Sequence, residues 1–373
     1  MNPYKIAFVY DRVNKIGGAE KVLSSLHHIW PDAPIYTSVY NQDKAPWSEG
    51  IKVIPSFIQK IPFAKNHHQW LFMLMPYAFE SFNFDAYDIV ISVTSAQAKG
   101  IITKPNTLHI NYLLTPTKYL YSQRDIHLKE NPFGKLGEKI LDYFWNKEER
   151  WDYIAAQRAD LTVAISKTIA SRSIDYYDRK VDATIFPPVN TSDFASKSII
   201  PKLSDYYLLV SRLVPSKRVD IAIKAFNKLG YDLVVVGDGS EKRKLKRISR
   251  SNITFTGQIS QKKLIGYYQN CKAFVYPAEE DFGIVMVEAL AAGKPVIAYK
   301  KGAASEIIKS KRHGLLFDRQ TPSSIIKVIQ SSTKIKFSET ALKNRAKKFD
   351  SCVFEDSFKK FVEESWQKHQ KSL

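Results

Sequence analysis

The sequence contains little cysteine and no long apolar run. Among its 373 residues only Cys271 and Cys352 are cysteines, which is too few for a disulfide framework or a structural zinc site. No uninterrupted apolar stretch reaches the roughly 18 residues that a membrane-spanning helix needs. Residues 1–5 lead directly into an apolar strand segment, so we expect no signal peptide and a location in a reducing cytoplasm.

A complete dinucleotide fingerprint is also missing. Gly237 and Gly239 follow an apolar strand segment as Gly-x-Gly, but Lys242 stands where the fingerprint has its third glycine. An NAD enzyme is therefore disfavoured. No RNA- or DNA-binding motif occurs in the chain either, so we expect no nucleic-acid partner.

Short apolar segments alternate with helical patterns along most of the chain. This alternation predicts an α/β protein with parallel sheets, and the length suits two domains. Pro187 and Pro188 interrupt the pattern near the end of the first domain. We place the domains at 1–190 and 191–345, followed by a basic helical segment at 346–373. The apolar face of that segment is formed by Phe349, Val353, Phe358, Phe361, Val362 and Trp366.

The most informative stretch runs from Pro277 to Ile297. In it, Glu280 and Glu288 are separated by seven residues across a predicted loop-to-helix junction. A helix that begins near Gly283 would leave its first-turn amides free for an anion, at the strand edge where open α/β sheets bind ligands. The hydroxyls and diphosphate of a sugar nucleotide would suit this arrangement. Taken alone, however, the Glu-x7-Glu spacing fits a solvated acidic turn better.

With its flanking residues, the stretch resembles the Glu-x7-Glu signature of glycosyltransferase family 4, whose members are retaining enzymes of the GT-B fold. The resemblance covers nearly the whole chain and is strongest from Ser211 to Glu306. It implies two Rossmann-like domains with parallel sheets facing a cleft, and a last helix that crosses back to the first domain. The first domain would bind the acceptor and the second the nucleotide sugar. No protein nucleophile is implied, because the leaving diphosphate deprotonates the incoming hydroxyl.

The resemblance also assigns site residues. Arg212 and Lys217 flank the start of a predicted helix, where an arginine fork and a lysine point charge would together neutralise a diphosphate. For either cation alone, a surface position in a basic protein is an equally good interpretation. The catalytic candidates are therefore Arg212, Lys217 and Glu280. The donor-binding candidates are Gly17, Gly18, Gly237, Gly239, Gln258, Ile259, Asp281, Phe282, Gly283, Ile284 and, toward the ribose, Glu288.

One segment departs from the family pattern. The residues that begin at Thr115 are similar to the family's His-Thr-Pro-x-Arg-Tyr-Leu-Trp segment, but Leu114 replaces the histidine that faces the donor sugar and Lys118 replaces the arginine. His109, five residues upstream, cannot be assumed to substitute. Leu114, Thr115 and Lys118 are candidates on the acceptor and sugar side. Either another group contacts the sugar, or the donor or the activity differs.

The residues around Glu280 and those that begin at Thr115 look most like the corresponding segments of bacterial mannosyltransferases of surface-polysaccharide and O-antigen assembly. We therefore expect transfer of mannose from GDP-mannose to a lipid-linked or lipopolysaccharide sugar. A UDP-hexose donor is the second hypothesis, and a non-catalytic subunit that binds sugar nucleotides or glycans is the third. No cofactor or metal is expected, because no two aspartates form the Asp-x-Asp pair typical of metal-dependent transferases.

The chain is strongly basic, with 56 Lys and Arg against 37 Asp and Glu and a net charge of +19. Polyanion binding and a solvated lysine-rich surface both explain this charge. We favour peripheral binding to the inner face of the cytoplasmic membrane, because the implied acceptor would be there. An aromatic and aliphatic stretch at 67–79 could lie on that interface, and a buried helix explains it equally well.

Overall fold

The computed structural model describes residues 4–129, 134–196 and 205–373. The chain divides into two compact units, which are Met1–Phe186 with Phe354–Leu373, and Pro187–Val353. We call them the first unit and the second unit. Among the described residues, no helix combines the length and the apolar character needed to cross a bilayer.

The described part of the first unit is built on a seven-stranded sheet in the order β3-β2-β1-β4-β5-β6-β7, and every pairing in it is parallel. Helices and turns cover both faces, so the central strands are apolar runs rather than alternating patterns. The strands are β1 (Ile6–Tyr10), β2 (Ile35–Thr37), β3 (Val53–Pro55), β4 (Ile89–Thr94), β5 (Leu108–Leu113), β6 (Leu161–Ala164) and β7 (Ala183–Thr184).

Six helices of the first unit precede β7 in the described residues. They are α1 (Gly18–Ile29), α2 (Ala64–His67), α3 (Met75–Glu80), α4 (Arg124–Lys129), α5 (Gly134–Ala156) and α6 (Lys167–Tyr177). Helix α6 begins at Lys167, where the Ser166 side chain caps it by accepting a hydrogen bond from the Ile169 amide at 3.1 Å. Helix α1 starts at the second of the paired glycines, Gly18, with Gly17 as its N-cap.

The second unit has a six-stranded parallel sheet in its described part, in the order β10-β9-β8-β11-β12-β13. Its strands are β8 (Tyr207–Val210), β9 (Leu233–Val236), β10 (Ile253–Gly257), β11 (Phe274–Tyr276), β12 (Val296–Tyr299) and β13 (Gly314–Phe317). Its helices are α7 (Val219–Leu229), α8 (Lys242–Ile248), α9 (Gln261–Asn270), α10 (Ile284–Ala291), α11 (Ala304–Ile307), α12 (Pro322–Ser332) and α13 (Glu339–Ala346). The prediction of two Rossmann-like domains with parallel sheets is confirmed.

The last helix, α14 (Ser351–Ser372), packs on the first unit, as predicted. Phe358 contacts Trp30 and Tyr112 at ring-centroid distances of 6.4 and 5.4 Å. The prediction of the apolar face was wrong for one residue. Val353 is 42 % exposed, whereas its neighbour Phe354 is buried against Tyr112, because the helix turns this next position toward the sheet.

Candidate functional site

In the second unit, the strand order changes direction between β8 and β11. The chain runs outward from β8 to β9 and β10, and then returns to place β11 on the other side of β8. Open parallel sheets bind ligands outside the carboxyl ends of their strands at such a point. We call the carboxyl ends of β8 to β11, with the loops that follow them, the second-unit edge. Arg212, Lys217 and Glu280 all lie there.

Lys217 and Glu280 form an ion pair across the change in strand order. Lys217 ends a short 3-10 helix in the loop after β8, and Glu280 lies in the loop after β11. Their side chains are 14 % and 15 % exposed, so both charges can still be reached by a ligand. The structure thus brings together two residues that are 63 positions apart and that the sequence assigned to one site.

Glu280 is also held by its surroundings. The Tyr276 hydroxyl donates a hydrogen bond to the same Glu280 oxygen that Lys217 contacts. Burial, together with the negative charge of Glu280, raises the pKa of Tyr276 well above its usual value, so the phenol stays protonated and donates. The Glu280 carbonyl accepts from the Ala303 amide at 2.9 Å. A side chain at Gly302 would collide with that carbonyl, since its Cβ would lie 2.3 Å from the oxygen.

Arg212 lies two residues after the end of β8 and is exposed. Its backbone lies in a loop pinned to the neighbouring β9 loop, because the Ser211 amide donates to the Val236 carbonyl at 3.0 Å and the Leu213 amide donates to the Asp238 carbonyl at 2.9 Å. Among the described residues its guanidinium forms no ion pair. A fixed backbone with an available guanidinium suits recognition of an anion.

Gly237 and Gly239 lie on this edge for a packing reason. A Cβ at Gly237 would be 1.9 Å from the Ser211 carbonyl oxygen, and one at Gly239 would be 2.4 Å from the Leu213 carbonyl oxygen. The φ of Gly237 is also +133°, a conformation that favours glycine. These glycines therefore allow the loop that carries Arg212 to sit against the β9 loop, whatever else they contact.

The other donor-binding candidates of the second unit lie on the same edge. Gln258 and Ile259 follow β10, whose Gly257 carbonyl accepts from the Gly237 amide at 3.0 Å. Asp281 and Phe282 follow Glu280, and Phe282 is buried against Phe349 at a ring-centroid distance of 5.6 Å.

Helix α10 begins at Ile284, with Gly283 at its N-cap in the left-handed conformation at a φ of +97°. Its start lies after β11, where the prediction placed the anion-binding helix terminus. Glu288, in the middle of this helix, is 4 % exposed and accepts a hydrogen bond from the buried Tyr268 hydroxyl at 3.0 Å. Its carboxylate is therefore far less accessible than that of Glu280.

The first unit has the same kind of topology, with a change in direction between β1 and β4. We call the carboxyl ends of β1, β4 and β5, with the loops that follow them, the first-unit edge. Asp11, which the sequence analysis did not select, fastens two of these loops. Its carboxylate accepts from the Ser95 amide and hydroxyl at 2.8 and 2.9 Å and from the Ala98 amide at 2.9 Å. Gly17 and Gly18 lie beyond it, at the start of α1.

A buried ionic network on the first-unit edge was also missed. Lys99 donates to Asp152 at 2.5 Å, and each side chain is 1 % exposed. Asp152 also accepts from the hydroxyls of Thr117 and Tyr177, at 2.8 and 2.7 Å. Nothing in the sequence signals this pair, because its members are 53 residues apart. By contrast, the position of Asp11 directly after a strand is a signal that could have been used.

Glu148 lies next to this network. It accepts hydrogen bonds from the Tyr119 hydroxyl and from the Gln97 amide, the latter at 2.6 Å. Burial raises the pKa of Glu148 to about 7. The first-unit edge therefore contains a carboxyl group that changes its charge near neutral pH.

The three sugar-side candidates lie at or after the end of β5. Leu114 donates its amide to the Thr94 carbonyl at 2.8 Å, Thr115 is 7 % exposed, and Lys118 is partly buried. His109 is fully buried inside β5 and contacts the Ser92 hydroxyl at 2.8 Å. Burial lowers its pKa to about 3, so it is neutral. His109 therefore does not replace the missing histidine at the edge.

The family match found by comparison with known proteins falls within the second unit. Residues 191–349 match the family model described as glycosyl transferases group 1, which places this segment in that family and confirms the resemblance seen in the sequence. A GDP-mannose-dependent alpha-mannosyltransferase of Mycolicibacterium smegmatis is 31 % identical over 176 residues, which is 45 % of this chain and 47 % of the relative.

A second relative is a GDP-mannose-dependent alpha-(1-6)-phosphatidylinositol monomannoside mannosyltransferase of Mycobacterium tuberculosis, 31 % identical over 169 residues, or 39 % of this chain and 43 % of the relative. The chain thus spans about half the length of the curated relatives it matches. The fold likeness is wider. HepE of Anabaena, solved in complex with UDP, superposes with a TM-score of 0.70 at 18 % identity, covering 96 % of this chain and all of HepE.

Proposed function

We propose that this chain, whose residues 191–349 belong to the group 1 glycosyltransferases, is a retaining hexosyltransferase that binds its nucleotide sugar at the second-unit edge. The observation that carries the proposal is the accessible Lys217–Glu280 ion pair next to the exposed Arg212, at the change in strand order. Two cations and a carboxylate at this place match a ligand with both a diphosphate and sugar hydroxyls.

In the proposed reaction the bond between the anomeric carbon and the diphosphate oxygen breaks, and a bond to the acceptor hydroxyl oxygen forms on the same face of the sugar. The hydroxyl proton passes to the departing diphosphate. Arg212 and Lys217 stabilise the negative charge that develops on the leaving group. Glu280 orients the sugar by accepting hydrogen bonds from its hydroxyl groups. No metal is required, because the two cations supply the positive charge.

The remaining assignments keep their proposed roles. Glu288 would bind the ribose, which requires its carboxylate to exchange the Tyr268 hydroxyl for a ribose hydroxyl. The backbone at Gly237, Gly239, Gln258 and Ile259 would contact the nucleotide. The segment Asp281–Ile284 would contact sugar and phosphate. In the first unit, Gly17 and Gly18 would approach the donor, and Leu114, Thr115 and Lys118 would face the transferred sugar or the acceptor.

The proposed donor is GDP-mannose and the proposed acceptor a lipid-linked or lipopolysaccharide sugar. The names of the two curated relatives support this choice, because both are GDP-mannose-dependent and one acts on a lipid. A UDP-hexose is the second candidate, since the similarly folded HepE was solved with UDP.

Exposed apolar side chains in the first unit support a peripheral position on an anionic membrane. Large apolar side chains between residues 57 and 77 are exposed to solvent, namely Phe57 at 43 %, Phe63 at 81 %, Trp70 at 77 %, Met73 at 47 % and Tyr77 at 64 %. The side chains of residues 67–69, within the predicted interfacial stretch, lie outside the described residues. Exposed aromatic groups on a chain of net charge +19 suit a membrane interface with anionic lipids.

The test is a transfer assay with GDP-mannose, UDP-glucose, UDP-N-acetylglucosamine and ADP-glucose, with bacterial lipid extracts as the acceptor source and with EDTA added to half the samples. We expect transfer from GDP-mannose, unaffected by EDTA and with retention at the anomeric carbon. Sedimentation with phosphatidylglycerol vesicles should accompany it. Transfer from a uridine nucleotide would replace the donor. Binding of a sugar nucleotide without transfer or hydrolysis would favour the non-catalytic subunit, for which Leu114 is the sequence argument.

A further inference from the structure

Glu20 is a buried carboxylate at the start of α1, on the first-unit edge. It is 2 % exposed and lies in the first turn of the helix, where the helix dipole stabilises a negative charge. One of its oxygens, Oε1, accepts a hydrogen bond from the Tyr10 hydroxyl at 2.5 Å. Burial and the charge of Glu20 raise the pKa of Tyr10 well above its usual value, so the phenol remains a donor.

The other oxygen, Oε2, is buried and has no hydrogen-bond partner among the described residues. Buried carboxylate oxygens are almost always paired, so an unpaired one needs an explanation. The helix start does not provide one, because the backbone amide of the N-cap residue Gly17, the usual donor to a glutamate at this position of a helix, forms no hydrogen bond with Oε2.

Gly17 lies directly beside the unpaired oxygen. A Cβ at this position would be 2.9 Å from Glu20 Oε2. The φ of Gly17 is −173°, which is extended backbone that any residue adopts, so the turn itself does not require glycine. The missing side chain instead leaves room next to the carboxylate. Gly18, the next residue, is exposed, so the buried carboxylate lies beside a part of the loop that faces solvent.

We propose that Glu20 Oε2 accepts a hydrogen bond from a hydroxyl group of a carbohydrate that approaches over Gly17. This inference rests on the proposed glycosyltransferase function and adds a sugar-binding residue to it in the first unit. A hydroxyl fits better than a metal ion, because cations such as Ca²⁺ require several oxygen ligands and the described residues contain no cluster of three or more His, Cys, Asp or Glu. Glu20 thereby supplies a polar contact in the unit where Leu114 has replaced the family's histidine.

The carbohydrate could be the transferred sugar or the acceptor sugar, and the experiment separates them. Glu20→Gln removes the charge but keeps the side-chain shape, and Gly17→Ala covers the oxygen without straining the backbone. Glu49→Gln is the matched control, an exposed glutamate of the same unit. For each variant we would measure transfer from GDP-mannose, hydrolysis of GDP-mannose without acceptor, and binding of GDP. If the transfer assay of the donors identifies a uridine nucleotide, UDP-glucose and UDP replace GDP-mannose and GDP in these measurements. Urea unfolding followed by tryptophan fluorescence verifies that the variants fold.

Glu20→Gln and Gly17→Ala should each lower kcat/KM for transfer by roughly 10- to 100-fold, the range expected for one hydrogen bond to a charged group, with GDP affinity unchanged. A parallel loss of hydrolysis would identify the transferred sugar as the ligand, whereas preserved hydrolysis would identify the acceptor. Folded variants with transfer rates within threefold of wild type would overturn the inference alone, as would a loss confined to Gly17→Ala. A wild-type chain that neither transfers nor hydrolyses any of the donors would overturn the proposed activity and this inference with it.

Discussion

The two units place charged side chains at the same topological position but use them in different ways. On the first-unit edge, Lys99 and Asp152 are each 1 % exposed, and Thr117 contacts both. On the second-unit edge, the side chains of Lys217 and Glu280 are 14 % and 15 % exposed. A ligand cannot reach the Lys99–Asp152 pair. It can reach Lys217 and Glu280, and either residue can then exchange its ion-pair partner for the ligand.

This difference explains why similar topology does not imply a similar role. A buried pair is costly to form, because both charges lose their hydration. It holds its loops in one arrangement, because separating the partners leaves a buried charge with neither counter-ion nor water. An accessible pair keeps its charges in place until a ligand of matching charge arrives. The match to the group 1 family covers residues 191–349, and thus the unit with the accessible pair.

Breaking the buried pair should have the largest effect on stability. Lys99→Met leaves the buried Asp152 carboxylate without its counter-ion, so the free energy of unfolding of the first unit should fall by about 3–5 kcal/mol. Urea unfolding followed by tryptophan fluorescence measures this unit alone, because all six tryptophans belong to it. They are Trp30, Trp47, Trp70, Trp145, Trp151 and Trp366.

Lys217→Met is the matched control in the second unit. It should leave the fluorescence transition unchanged and weaken nucleotide binding instead. If Lys99→Met unfolded at the wild-type urea concentration, the contrast between a structural and a ligand-binding pair would be lost.

A smaller effect on stability should depend on pH. Burial raises the pKa of Glu148 to about 7, so the folded chain holds a proton there that the unfolded chain releases near its ordinary pKa of about 4.5. The wild type should therefore lose stability as the pH rises from about 4.5 to 7, by about 2–3 kcal/mol from this group. Glu148→Gln should match the wild type at pH 4.5 and exceed its stability at pH 8.

Fluorescence-monitored urea unfolding at pH 4.5, 6 and 8 measures this difference in the first unit. Glu49→Gln, at an exposed glutamate, should follow the wild type at every pH. A constant difference between Glu148→Gln and the wild type across the three pH values would show that Glu148 does not titrate near neutrality.

The sequence predicted the parts of the molecule that depend on local patterns. Buried parallel strands such as β4 and β9 are continuous apolar runs, and their carboxyl ends are readable from the turn residues that follow. Once these strands are ordered in a parallel sheet, Arg212, Lys217 and Glu280 must lie on one edge. This explains why the second-unit edge could be anticipated before its contacts were known.

The contacts that depend on distant partners could not be predicted. Asp152 reaches Lys99 from the long helix α5, and no periodicity distinguishes it from the more accessible acids of that helix. Glu288 followed the expected spacing, but its burial against Tyr268 depends on how α9 packs beside α10. Glu20 occupies an ordinary position for an acidic residue in the first turn of a helix, and only the structure shows that one of its oxygens is unpaired among the described residues.

In the proposed function, the cations of the second-unit edge bind a diphosphate. Isothermal titration with GDP and UDP, on wild type and Arg212→Ala, tests it most directly, with Arg243→Ala as an exposed control in the same unit. We expect wild type and Arg243→Ala to bind one of these nucleotides equally well, and Arg212→Ala to bind it roughly 10- to 100-fold more weakly. Equal affinity in all three proteins, or no binding by any of them, would contradict it.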